Sequence, residues 1–191
     1  RVTSTSVDEY NIVVVYGLLK DTFSTTLHST TTIEINAEKW NRRTNGNDGS
    51  AYIVILSGAH EDYHIRNYTT DADESEFGRE FSAIVHEAGM LANVFGRETL
   101  EERLAEFTEL LKVDGTDYAH LSNQGFRRVL SYRTALRVLD SRGLHTLENL
   151  AEQLLSDHDN GITSFDKVAG RMGLGFAFED VWNDFKAENG L

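Results

Sequence analysis

The chain has 191 residues, 40% of them hydrophobic and 26% charged, with a net charge of −13 and neither cysteine nor proline. This length and apolar content can bury a core, as one domain or two small ones. The missing cysteines exclude disulfides, thiolate zinc sites and cysteine nucleophiles. The negative charge opposes indiscriminate binding to nucleic acid or anionic membranes. The longest apolar run, Ile12 to Leu19, falls well short of the roughly 18–20 residues of a membrane span. The chain therefore reads as soluble, compatible with cytoplasm or a virion, and no membrane partner is expected. It opens at Arg1 with no initiator Met and no charged-then-apolar leader, and no targeting signal is readable. Its thirteen arginines against five lysines give an acidic, lysine-poor composition, one route to solubility in high salt.

From about residue 9 to residue 70 the pattern predicts strands. Asn11 to Leu19 is an apolar, β-branched run suited to a central strand, and Thr30 to Ile35 alternates. Ala51 to Leu56 is a third candidate and Tyr63 to Thr69 a half-exposed fourth. Asn45-Gly46 and Asp48-Gly49 mark turns between the second and third. A small antiparallel sheet is expected.

After Asp71 the period changes. Asp71, Asp73, Glu74 and Glu76 suit the positive end of a helix dipole. Phe77, Phe81, Ile84, Val85, Ala88 and Leu91 then recur at helical spacing up to Gly96. A second helix from Thr99 to Lys112 carries Leu100, Leu104, Phe107 and Leu111 on one face. Val113 to Asp117 is the clearest linker. Beyond it, Ser131 is a candidate N-cap for a helix to Ser141 with Tyr132, Ala135, Leu136 and Leu139 inward. Gly143 ends that helix, Thr146 caps the next, and Leu147, Leu150, Ala151 and Leu154 form its apolar face. Thr163 and Asp166 have capping-box spacing before Phe165, Val168, Ala169 and Met172. Gly173 and Gly175 break this third helix, and Phe178, Val181, Trp182 and Phe185 line the last.

The stretch Leu130 to Leu150, with its leucine-serine start and its Gly143-Leu144 and Thr146-Leu147 steps, resembles the opening of the C-terminal domain of the bacterial RNA polymerase alpha subunit. Phe178 to Leu191 resembles that family's final helix and closing glycine-leucine. The resemblance covers about a third of the chain and implies a helix-hairpin-helix-like module that binds the DNA minor groove and contacts activators. Arg133 matches the family's early arginine, although an ungapped alignment of the glycine-aliphatic-threonine motif places Thr134 there. Gly173 to Phe178 is apolar where the family has a basic turn, and the last helix carries Glu179, Asp180, Asp184 and Glu188 against Lys186 alone. A helix-turn-helix over Phe165 to Trp182 is a rival reading, with an acidic recognition helix and an offset apolar position.

One charge feature favours an anionic partner. Gln124 to His145 holds Arg127, Arg128, Arg133, Arg137 and Arg142 against Asp140 alone, a local charge of +4. These arginines suit a phosphate backbone, or equally the chain's own acidic segment from Asp71 to Lys112, with eleven acids and four bases.

No catalytic set emerges. His86-Glu87 begins a zinc-protease pattern, but Met90 stands where the second histidine is needed. His60 and His64, flanking Glu61 and Asp62, are candidate metal ligands. On a strand they share a face but sit roughly 13 Å apart, too far for one ion unless a turn intervenes. Asp157, Asp159 and Asn160 precede Gly161 one residue too early for an EF-hand loop. Gly173 to Gly175 lacks the third glycine and preceding strand of a dinucleotide loop, and Ser57-Gly58 is no nucleophile elbow.

The expected fold is α+β: an N-terminal small antiparallel β-rich unit (1–70), an acidic helical pair (71–115) and a compact four-helix module (116–191). The expected function is that of a non-enzymatic binding protein whose module docks on nucleic acid or transcription machinery through the arginine-rich helix. The alternative is a structural or assembly protein, for example a viral particle component, using the module for contacts with other protein subunits. An enzyme using His60, Glu61 and His64 ranks third. No cofactor is expected.

Overall fold

The computed structural model describes residues 3–7, 10–15, 24–26, 32–36, 58–64, 76–113, 124–157 and 162–190. The chain divides into two compact units, residues 1–68 and 69–191.

In the first unit, β1 (Thr3–Val7), β2 (Tyr10–Val15), β3 (Ser24–Thr26) and β4 (Thr32–Asn36) form one sheet in the order β1-β2-β4-β3. The β-branched run of β2 occupies an interior position, as its composition favours. It pairs antiparallel with β1 (Thr3↔Val14 to Val7↔Tyr10) and parallel with β4 (Asn11↔Thr32 to Val15↔Asn36). Between them the chain forms β3, which pairs antiparallel with β4 at the sheet's edge. The sheet is thus mixed. Residues 58–64 are helical and form α1. The expected strand at Tyr63 to Thr69 accordingly begins inside a helix; its residues 65–69, and the expected strand at Ala51 to Leu56, lie outside the described residues.

The second unit contains α2 (Glu76–Phe95), α3 (Arg97–Val113), α4 (Gln124–Arg142), α5 (Leu144–Ser156), α6 (Ile162–Arg171) and α7 (Phe178–Asn189). α2 is its centre, packing against α3, α4, α5 and α6. Every described residue from Phe81 to Gly89 is buried, so this helix meets neighbours on all sides, as a helix without a solvated face must. Phe81 meets the edges of Phe165 and Phe178, with ring centroids 5.4 and 5.0 Å apart. Burial of one such ring contributes about 1.5–3 kcal/mol. Phe126 packs edge-on against Trp182 and Phe185, joining α4 to α7.

Two details position the helices. At Gly89 a Cβ would lie 2.7 Å from Ala151 Cβ, so α2 and α5 touch closely there because Gly89 has none. Beside that contact, His86 Nδ1 lies 2.8 Å from the Ala151 carbonyl oxygen, to which it donates. The α2–α3 and α4–α5 junctions are single residues, Gly96 and Gly143, at φ 85° and 83°, a left-handed conformation that glycine adopts without steric cost.

The expected α+β class with an antiparallel β-rich N-terminal unit is therefore corrected to a mostly α fold. Seven helices hold most of the described residues, and the described core is built by helices and the turn residue Leu174. The physical reason is that short apolar runs satisfy strand and buried-helix patterns alike. Three expected caps also change place. Ser131 lies in the middle of α4, where its hydroxyl donates to Arg127 O at 2.9 Å and lies 3.3 Å from Phe81 O. Thr146 lies inside α5 and donates to Arg142 O. Asp166 accepts from the backbone N–H of Phe178, the first residue of α7. Among the described residues, no helix is long and apolar enough to cross a membrane.

Candidate interaction face

α4 carries all five arginines singled out above, and the structure gives each a place. Arg127 is buried and faces away from solvent. Arg128 Nη1 lies 3.8 Å from Glu87 Oε1 on α2. Its guanidinium also sits 5.3 Å from the Phe107 ring centre, while Arg103 lies 4.9 Å from the same ring. Tyr132 donates to that Glu87 oxygen at 2.7 Å. Burial, and next the charge of Glu87, hold the Tyr132 hydroxyl well above the ordinary tyrosine value of 10.0.

The next two arginines meet the last helix. Arg133 pairs with Glu188, and Arg137 Nη1 lies 2.6 Å from Asp184 Oδ2. The spacing explains the match: two cations four residues apart on α4 face two anions four residues apart on antiparallel α7, each row on one helical face. Aromatic rings lie under both cations. Arg133 is 5.6 Å from the Phe185 centroid and Arg137 is 4.5 Å from that of Phe176. Arg142 donates to Gly173 O at 2.9 Å. The sole acid of this stretch, Asp140, pairs with Arg97 at the start of α3.

An open groove of 610 Å³ runs beside this latch, lined in part by Arg133, Arg137, Asp140, Asp184 and Glu188. Two arginines against three carboxylates give those residues a charge of −1. A phosphate backbone is drawn to a cluster of uncompensated cations; this groove presents compensated ones. Among the described contacts, the acidic segment from Asp71 to Lys112 supplies Glu87 to Arg128, while α7 supplies Asp184 and Glu188 and the Gly173 carbonyl meets Arg142.

The remaining candidates fall elsewhere. His60 and His64 sit one turn apart on α1, with their Nε2 atoms 3.1 Å apart, so the strand-based separation of roughly 13 Å is corrected. Asp157 accepts from Ser164 Oγ at 3.1 Å and pairs with Arg171 at 2.8 Å, tying the end of α5 to α6; residues 158–161 lie outside the described residues. His86 is buried among α2 and α5 and is held by the Ala151 carbonyl. Sequence reasoning missed the α4–α7 latch. The matched spacing of Arg133/Arg137 and Asp184/Glu188 was the available signal.

No family model, curated protein or solved structure matches the chain.

Proposed function

We propose that the helical unit is a protein-docking module of an assembly, whose partners are other protein subunits. The observation that carries this reading is the state of the arginine face: Arg128, Arg133, Arg137 and Arg142 all have acceptors within the chain. Such a face offers a partner ion pairs, aromatic edges and a groove, but little free positive charge. The large apolar side chains that are exposed among the described residues, Val94, Phe95 and Leu144, flank the Gly96 and Gly143 junctions. The Arg97–Asp140 pair links those two junctions, which groups the three side chains at one end of the unit. Exposed apolar groups with a polar rim suit protein contacts.

The test is light scattering of the full chain over a range of concentrations, alone and with Phe95→Asp or Leu144→Asp. Defined higher-mass species that either substitution abolishes support the reading; a monomer at every concentration and salt level counts against it. A second reading rests on the local charge of +4 between Gln124 and His145, with nucleic acid or the transcription machinery as partner. It is the module function that the alpha-subunit resemblance implies. On this reading α7 must release Arg133 and Arg137 before they can meet phosphate.

A further inference from the structure

We propose that His60 and His64 form a chelating pair for one late first-row divalent transition-metal ion, a site in the first unit that the docking reading does not involve. The helical conformation of residues 58–64 makes this pair. Four residues along a helix advance about 6 Å and return to the same face, whereas four along a strand advance about 13 Å. The two imidazoles converge, with ring centroids 4.8 Å apart, an interplanar angle of 74° and Nε2 atoms 3.1 Å apart. The edge of Tyr63 meets His64 at 6.0 Å and 80°, flanking that ring on the same helix.

The separation has the bite of a chelate. Metal–imidazole bonds are about 2.0–2.1 Å long. With an N–metal–N angle between octahedral and tetrahedral, two such bonds hold their nitrogens about 2.8–3.4 Å apart. The observed 3.1 Å falls inside that range. Without an ion, one Nε2–H donates to the other Nε2 at this distance, and the hydrogen bond keeps the rings converged. On binding, the ion takes the place of the shared hydrogen. The displaced proton moves to Nδ1 of the donor imidazole, a change of tautomer, so both rings ligate in the neutral form and no net proton is released. Two imidazoles favour copper, nickel and zinc over magnesium or calcium, which take oxygen donors. Glu61 and Asp62, between the histidines, add negative charge to the same turn.

The experiment uses the full chain, stripped with a chelator and titrated calorimetrically with Cu²⁺, Zn²⁺ and Mg²⁺ in turn. One Cu²⁺ or one Zn²⁺ per chain is expected, copper the tighter, with no Mg²⁺ bound. His60→Gln and His64→Gln should each weaken binding by more than the roughly tenfold that even loss of an outer-shell partner costs. His145→Gln should leave it unchanged. Electron paramagnetic resonance of the Cu²⁺-loaded unsubstituted chain should show two coordinated imidazole nitrogens, a readout independent of whether the variants fold. Absence of a stoichiometric ion overturns the proposal. So does a Cu²⁺ spectrum with fewer than two imidazole nitrogens, or binding that survives both glutamine substitutions or disappears with His145→Gln.

Discussion

Replacing Gly89 with alanine should destabilise the helical unit, although alanine is the better helix former. In an unhindered helix interior the change gains about 1 kcal/mol. Here the added Cβ would meet Ala151 Cβ at 2.7 Å and Leu147 O at 3.4 Å. Relaxed carbon contacts lie at about 3.5–4.0 Å, so α2 and α5 must separate by roughly 1 Å. The separation also stretches the His86–Ala151 hydrogen bond beside it, 2.8 Å long in the native packing. Overpacking of this kind costs about 1–3 kcal/mol, leaving a net loss of about 1 kcal/mol after the helical gain. Urea unfolding reads this as a midpoint lowered by about 0.5 M, for a slope of about 2 kcal/mol/M. Ala151→Gly combined with Gly89→Ala removes the clash, so the double-mutant cycle should show a favourable coupling of about 1–3 kcal/mol. A Gly89→Ala variant that is more stable by about 1 kcal/mol, with no coupling to Ala151, would refute the close approach of the two helices.

Three further outcomes follow from the same packing. Tyr132→Phe removes the donor to buried Glu87 and should cost about 1–3 kcal/mol in urea unfolding at neutral pH. Because the folded value of Tyr132 lies above its unfolded 10.0, its contribution is fully present below pH 10 and is lost as pH rises through the folded value. Stability measured from pH 8 upward should therefore fall beyond pH 10, and less steeply in Tyr132→Phe. The Arg137–Asp184 pair is partly exposed and screened by solvent, so a double-mutant cycle should give only about 0.2–1 kcal/mol, shrinking in high salt. Phe81→Ala, which empties the space between Phe165 and Phe178, should cost about 3–5 kcal/mol.

The helices that show in the sequence are those whose burial follows one period. Phe81, Ile84, Val85, Ala88 and Leu91 announce α2, and Leu100, Phe107 and Leu111 announce α3; all are buried. The start of α4 is hidden, because Ser131 has the chemistry of an N-cap. Burial of Phe126, Val129 and Leu130 goes with a helix that already starts at Gln124, and the Ser131 hydroxyl turns back onto the preceding turn instead. The 58–64 helix is hidden for a different reason: Tyr63 begins an alternating stretch that a strand would also satisfy. That one misreading of period separated His60 from His64 and put their 3.1 Å approach out of view. The arginine excess of α4 is plain from composition, but its partners lie 47 and 55 residues away on α7. A charge count cannot pair residues so distant in sequence; only the antiparallel packing of the two helices does.

Whether α4 presents free positive charge is decided most directly by fluorescence anisotropy with a labelled DNA duplex at low salt, where phosphate binding is strongest. The native chain should leave the anisotropy unchanged at every protein concentration, because Asp184 and Glu188 already hold Arg137 and Arg133. A salt-dependent rise in anisotropy that Arg133→Ala and Arg137→Ala abolish would contradict the docking-module reading.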